Sequence, residues 1–390
     1  MTYLKNKNPK ETLSLNEGDV LIMDKIIISG GLSFFIAFFS IPVIIQVAKE
    51  KKLFDQPDER KWHKSIIPTL GGLGIFAGFA MSVILATPHS AAVEFQPFLA
   101  ACMIIFFLGL KDDILVLSPS KKFIGQIVAA FVLIKLGGIK IDNFQGTFGL
   151  NYIPPISSDL VTLLTIVLIV NSFNLIDGLD GLAGSLGVLT TAVFGIFFTL
   201  TNNIPAAVMA FSLTGALLAF LIYNFPPAKI FMGDTGSLIL GLVNAVLVIH
   251  FINAPLKQNL TLLKFNAAPA LGFAILMVPL FDTLRVFTLR ILKRRSPFSP
   301  DRNHIHHLLM DAGFGDRSIT LICLIFNVVY ISTAYFLQTL GNTMLFIVLF
   351  GMGIAFTSFI FLLKQKKIKQ NNAKSEKNPL KVVSDHAKAG

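Results

Sequence analysis

The sequence predicts an all-α, polytopic membrane protein of about eleven transmembrane helices. Three observations carry this. Of 390 residues, 54% are apolar and only 14% are charged, whereas soluble domains average about 25% charged residues; mean hydropathy is +0.71. Apolar runs near bilayer length, about 20 residues each, recur along most of the chain. Four clusters of acids and histidines fall at the ends of these runs.

In chain order, residues 1–24 form a polar N-terminal segment of mixed charge. The apolar run behind it is too long for the core of a secretory signal, so it reads as an uncleaved first span. The expected spans are 25–48, 72–88, 96–110, 122–137, 159–175, 181–201, 205–223, 235–254, 266–292, 319–338 and 343–363, making one transmembrane domain over 25–363. Asn-, Gly- and Pro-rich joints separate them, as at Thr201-Asn202-Asn203-Ile204-Pro205. Residues 364–390 are basic and polar, and read as a disordered tail that rests on anionic lipid. Cys102 and Cys323 fall inside apolar runs and read as buried small hydrophobes, not as a disulfide framework.

Orientation follows from Lys and Arg. The loops after odd-numbered spans are rich in them, while the short even-side loops hold Lys140, Lys257 and Lys264. The positive-inside bias puts the odd-side loops and the C-terminus in the cytoplasm. The net charge of +11 resides largely in those loops and the tail, so nucleic acid is not an expected partner.

Four polar clusters fall at odd-side span ends: Lys111-Asp112-Asp113, the stretch Asn171-Ser-Phe-Asn174-Leu-Ile-Asp177-Gly-Leu-Asp180, Phe231-Met-Gly-Asp234-Thr-Gly-Ser237, and His304-Ile-His306-His307. A charged side chain at the bilayer centre costs about 2.5–3.5 kcal/mol on insertion scales, so acids beside apolar runs need a cation, a partner or water. Each cluster also has a plainer reading. Asp112 and Asp113 fit a solvated helix end, although adjacent acids oppose the local charge bias and raise each other's pKa. Asp177 and Asp180, three apart, share a helical face with Asn174 and fit a polar helix contact. Asp234 fits a helix cap, or a place where exposed N–H groups meet phosphate. The three histidines fit a polar loop. Zinc is disfavoured, because no Cys is near, the spacing is not that of a zinc helix, and Arg294, Arg295 and Arg302 surround the loop and favour an anion. Asp282 and Arg285, three apart, are expected to pair on one helix face.

Hard carboxylate ligands, with water and phosphate completing the shell, suit Mg²⁺. With Lys, Arg and His alongside, they suit phosphoryl transfer between a soluble phosphate donor and a lipid acceptor. A phosphomonoester acceptor, with a second pKa near 6, is mostly dianionic and needs little help from a base. The obstacle is repulsion between two anions, which metal and basic side chains relieve.

Five ordered motifs across residues 54–314 carry a family resemblance. They are Arg60-Lys-Trp-His63-Lys64-Ser-Ile-Ile-Pro68-Thr-Leu-Gly71-Gly72, Gly109-Leu-Lys-Asp112-Asp113, the stretch from Asn171 to Ala183, the stretch from Phe231 to Leu238, and Ser296-Pro-Phe-Ser-Pro-Asp301-Arg302-Asn-His304-Ile-His306-His307. The chain resembles the polyprenyl-phosphate N-acetylhexosamine-1-phosphate transferase family (glycosyltransferase family 4) of bacterial envelope synthesis. The resemblance implies transfer of a sugar-1-phosphate from a UDP-sugar to undecaprenyl phosphate in the cytoplasmic membrane, with Mg²⁺ or Mn²⁺ and release of UMP. A second copy of the chain is a further candidate partner.

By resemblance, Asp112 and Asp113 are acceptor-side acids, one of them a proposed base. Asp234 is the metal-binding acid, with Asp113 and Asp177 as further candidate ligands. Asn174, Asp177 and Asp180 shape the nucleotide and metal pocket, while Lys64, Arg302, His304, His306 and His307 contact substrate phosphate. The Pro-Asp-Arg…His-Ile-His-His loop resembles the branch that makes lipid-linked GlcNAc for O-antigen, common antigen or teichoic acid linkage units. Ile305 interrupts the histidine run expected of the muramoyl-pentapeptide branch, while a 6-deoxy-HexNAc donor stays open. A secondary transporter is the alternative class, but it would show an internal repeat with acids at mid-membrane.

Overall fold

The computed structural model describes residues 17–51, 67–88, 91–254, 266–296 and 302–377. In chain order the helices are α1 (Glu17–Glu50), α2 (Gly71–Ala86), α3 (Ala92–Ile114), α4 (Pro119–Lys135), α5 (Pro155–Ile176), α6 (Leu182–Leu200), α7 (Ile204–Asn224), α8 (Gly233–Asn253), α9 (Ala268–Ile275), α10 (Met277–Leu292), α11 (Ile305–Asp311), α12 (Asp316–Phe336) and α13 (Gly341–Lys377). Each expected span falls on a helix, except that the run 266–292 divides into α9 and α10. Seven helices are long and apolar enough to cross a membrane, or eight if the bent pair α9–α10 is one span, among the described residues. The protein is thus an all-α, multi-pass membrane protein.

Helix α8 is the centre of the bundle. Its apolar residues run around its whole circumference, a pattern that a helix can carry only when enclosed, and α2, α3, α5, α6, α7 and α9 pack on it. Small residues let backbones close up where lipid supplies no hydrophobic drive between helices. A Cβ at Gly215 of α7 would stand 2.1 Å from the carbonyl of Gly30 on α1. Beside this crossing, Ser82 of α2 donates to Ser29 O at 2.6 Å and shares a 2.9 Å hydrogen bond with Ser212. Cys102 and Cys323 are free and buried, as expected.

Two prolines free carbonyls in the apolar interior, and both carbonyls are recaptured. Pro42 lies inside α1 and has no N–H for the carbonyl four residues back, Phe38. The hydroxyl of Tyr223 donates to Phe38 O at 3.1 Å. Pro279 likewise deprives Ile275 O of a partner, at the 85° bend between α9 and α10. Asn327 of α12 serves both broken ends: its Nδ2 donates to Ile275 O at 2.9 Å and its Oδ1 accepts from Val278 N at 3.2 Å. A break at membrane depth is tolerated only with such repair.

Three elements depart from expectation. Strands β1 (Asn143–Thr147) and β2 (Leu150–Tyr152) form a hairpin between α4 and α5, turning through Phe148 and Gly149, both at positive φ. It is pinned where Phe148 N donates to Thr343 Oγ1 and Asn342 Nδ2 donates to Gln145 O. The histidine loop becomes helical in α11. The segment from 364, expected to be disordered, continues α13 to Lys377. Extending an existing helix needs no nucleation, and Lys364 pairs with Asp311 of α11 at 2.9 Å. Residues 378–390 lie outside the described residues, as do 1–16.

Candidate active site

The site is built where α2, α3 and α8 meet through glycines. Gly72 N donates to Met232 O at 2.8 Å and Phe231 N donates to Pro68 O at 2.8 Å, joining the segment before α2 to the segment before α8. Gly233, at φ +70°, opens α8; a Cβ there would stand 2.1 Å from Thr69 O, while one on Gly109 of α3 would stand 2.5 Å from the Thr235 Cα. Side chains other than hydrogen would push these three elements apart.

Asp113, at the end of α3, caps α8. Its Oδ1 accepts from Asp234 N at 2.7 Å, and its Oδ2 accepts from Thr235 N at 3.0 Å and Thr235 Oγ1 at 2.5 Å. A carboxylate at a helix N-terminus is favoured both by the free N–H groups and by the dipole. Asp112 turns the other way: its Oδ1 accepts from Leu117 N at 2.6 Å and its Oδ2 meets Lys122 Nζ at 2.5 Å. The same ammonium lies 2.5 Å from Asp234 Oδ2. Asn174 of α5 donates through Nδ2 to Asp234 Oδ1 at 3.1 Å and to Ser237 Oγ at 3.0 Å. Behind it, Asn171 Nδ2 donates to Gln126 Oε1 at 2.6 Å.

The loop between α5 and α6 faces this group. Asp177 is half-buried and has no hydrogen-bond or ion-pair partner among the described residues. Burial, then the charges of Asp234, Asp113 and Asp180, push its carboxyl up to about 8. Asp180 is buried and accepts from Ala228 N at 3.0 Å. Gly181, at φ +75°, donates from its N–H to Asn224 Oδ1 at 2.9 Å, and Arg317 of α12 donates to Pro226 O through Nε at 3.2 Å and Nη2 at 2.7 Å. A recess of ≈ 370 Å³ lies here, lined by Asp180, Pro226, Pro227, Asp316 and Arg317 among others.

Helix α11 brings the histidines against that loop. His306 is 2% exposed, and a Cβ on Gly178 would stand 2.7 Å from its Nε2. Burial, then His307, hold its imidazole down to about 3, so it is neutral at pH 7. His307 is half-buried and shifted down by burial and then by Arg302, whose side chain is exposed. His304 is buried and its Nδ1 lies 2.8 Å from Asp282 Oδ2. Asp282 also pairs with Arg285 at 2.8 Å, as the sequence suggested.

The structure therefore gathers Asp112, Asp113, Asn174, Asp177, Asp180, Asp234, His304, His306, His307 and Arg302 at one end of the bundle. Lys64, with the first motif up to residue 66, and Asp301 lie outside the described residues. Sequence reasoning overlooked Lys122, although a signal existed: Lys121 and Lys122 occupy the first turn of α4, where the helix dipole disfavours positive charge unless an acid answers it. Among the described residues no three acid or histidine groups converge as a ready metal cage. Asp113 has both oxygens engaged, and the Lys122 ammonium stands between Asp112 and Asp234. The donor chemistry nonetheless suits a hard cation: Asp177 is an unpartnered carboxylate whose charge three other acids oppose, and Asp234 lies among them.

The model of Glycosyl transferase family 4 matches residues 95–252. The chain is similar to the probable undecaprenyl-phosphate N-acetylglucosaminyl 1-phosphate transferase of Bacillus subtilis (strain 168), 32% identical over 324 residues, 81% of this chain and 86% of the relative. It is 33% identical to the decaprenyl-phosphate N-acetylglucosaminephosphotransferase of Mycobacterium tuberculosis (strain ATCC 25618 / H37Rv), over 74% of this chain and 76% of that one. The undecaprenyl-phosphate alpha-N-acetylglucosaminyl 1-phosphate transferase of Escherichia coli (strain K12) is 29% identical over 70% and 73%. The first of these relatives is more than 30% identical and the match spans most of both chains: the chain belongs to glycosyl transferase family 4, the polyprenyl-phosphate N-acetylhexosamine-1-phosphate transferases.

Proposed function

We propose that this protein transfers GlcNAc-1-phosphate from UDP-GlcNAc to undecaprenyl phosphate, releasing UMP, at the cytoplasmic face of a bacterial cytoplasmic membrane. The observation that carries the reading is the convergence of Asp112, Lys122, Asn174, Asp177 and Asp234 beside the α11 histidines, at the end of the bundle where the Lys- and Arg-rich loops lie. The product would start an envelope glycan, such as O-antigen, common antigen or a teichoic acid linkage unit.

In this reaction an oxygen of the lipid phosphate forms a bond to the sugar-linked phosphorus. The bond from that phosphorus to the oxygen bridging the diphosphate breaks, and UMP leaves with that oxygen. The nucleophile is already ionised, so Asp112 is not needed to remove a proton. It holds Lys122 in place. Lys122 supplies positive charge where two anions must approach. Asn174 keeps Asp234 turned toward the site. Asp177 and Asp234 would hold Mg²⁺, which neutralises diphosphate charge when bound. The names of the relatives favour GlcNAc over muramoyl-pentapeptide or a 6-deoxysugar, and family membership displaces the transporter alternative.

The test is UMP release by the purified protein with Mg²⁺, undecaprenyl phosphate and a panel of UDP-sugars. UDP-GlcNAc should be turned over far better than UDP-MurNAc-pentapeptide. Efficient use of the pentapeptide donor overturns the choice of sugar.

A further inference from the structure

Asp282 is 2% exposed on α10, and the chemistry above makes no use of it. Its oxygens are divided. Oδ1 accepts from Ile305 N at 3.0 Å and from Arg285 Nη2 at 2.8 Å, while Oδ2 faces His304 Nδ1 at 2.8 Å. The same Arg285 nitrogen donates to Asn303 O. One acid thus fixes three consecutive residues at the entrance to α11: Asn303 through Arg285, then His304 and Ile305 directly.

A cap for α11 requires only the Ile305 contact. The second oxygen does something a cap does not. A carboxylate paired with Arg285 has no proton to give, so the proton between it and the ring belongs to Nδ1. The hydrogen bond made by one ring nitrogen decides which tautomer the neutral ring adopts, and in that tautomer Nε2 is the acceptor. A bare acceptor suits a hydroxyl or amide N–H, and it does not suit a phosphate oxygen, which carries no hydrogen at neutral pH. The stacked rings of His304 and His306, 5.8 Å between centroids, tie this orientation to the ring lying on Gly178 beside Asp177.

We infer that Asp282 is a positioning residue for donor recognition: it sets His304 so that Nε2 accepts a hydrogen bond from the sugar moiety of the donor. The inference rests on the donor role proposed for the histidine segment. The acidic network itself is closed by Arg285, so the pair needs no further cation.

The test uses the full-length protein in detergent or nanodiscs, with KM for UDP-GlcNAc, KM for undecaprenyl phosphate, and inhibition by UDP, which lacks the sugar. Asp282→Asn and His304→Ala should each raise the KM for UDP-GlcNAc about tenfold, leaving the lipid KM and UDP inhibition within about twofold. The double variant should be no worse than His304→Ala, because one residue acts through the other. Multiplying effects in the double variant overturn the inference. So does UDP inhibition weakened as much as donor use, which would mean a phosphate contact. If His304→Ala leaves the donor KM unchanged, the donor role of the segment fails. If it raises the KM and Asp282→Asn does not, the positioning role alone fails. Should Asp282→Asn not survive purification, His304→Asn reads the same contact, since its amide keeps an N–H toward Asp282 but removes Nε2. It should melt near the wild type yet lose donor affinity, whereas His304→Ala should lose both. Equal melting losses in these two variants overturn the inference.

Discussion

Replacing Lys122 by methionine removes one charge and little volume, and the structure fixes what is lost. The ammonium lies 2.5 Å from Asp112 Oδ2 and 2.5 Å from Asp234 Oδ2. The two oxygens are therefore no more than about 5 Å apart, and two like charges at that separation repel by about 3 kcal/mol at an effective dielectric of about 20. Lys122 is partly open to solvent, so screening lowers this to about 2 kcal/mol. In the proposed reaction the same ammonium also faces incoming phosphate. The two losses together should lower the rate about 100-fold, about 2.7 kcal/mol of barrier. The assay is steady-state UMP release beside a melting curve. Lys122→Met should remain folded, because Asp112 and Asp234 can swing toward water or a metal ion, and raising Mg²⁺ should recover part of the rate. Lys122→Met turning over within about threefold of wild type would refute the reasoning, for then the bridge is only a surface ion pair.

Other expectations follow from particular contacts. Asp234→Asn keeps volume but removes the charge of a proposed metal ligand; it should cut UMP release by about 1000-fold or more, about 4 kcal/mol, while the protein still purifies as a folded membrane protein, and near-normal turnover at ordinary Mg²⁺ would remove Asp234 from the proposed metal role. His306, held at about 3 from an ordinary 6.5, binds fewer protons folded than unfolded, so it lowers stability as pH falls from about 6.5 toward about 3; acid should depress the melting temperature of the wild type more than that of His306→Gln, measured by intrinsic fluorescence. His306→Ala should raise the donor KM, or lower kcat/KM, by about tenfold, read from UDP-GlcNAc titrations at saturating lipid. Asn327→Leu leaves Ile275 O and Val278 N unpaired at the α9–α10 bend and should cost about 2 kcal/mol or more, seen as a lowered melting temperature.

Much of this architecture is legible in the sequence because membrane burial makes polarity expensive. Acids such as Asp177 and Asp234 beside apolar runs must have a reason, and the reason is a shared site. The same logic places every expected span on a helix. What stays hidden is three-dimensional. Pro279 announces a break, yet only the fold shows Asn327 reaching from α12 to repair it. The hairpin turns through Phe148 at positive φ, a conformation that phenylalanine rarely adopts, so Gly149 alone of its two turn residues marks it in the sequence. Lys122 counts as one more basic residue until α4 brings it between two acids. The arginines around the histidine loop suggest open phosphate contacts, whereas the structure buries His304 on Asp282 and His306 on Gly178 and leaves His307 and Arg302 more open.

The most direct measurement follows the phosphorus. UDP-GlcNAc labelled with radioactive phosphorus at the sugar-linked phosphate is incubated with the purified protein, Mg²⁺ and undecaprenyl phosphate, and the lipid and nucleotide products are separated. A sugar-1-phosphate transferase must move the label into a lipid diphosphate and release unlabelled UMP. Labelled UDP in the aqueous phase, with sugar but no label on the lipid, would contradict the account.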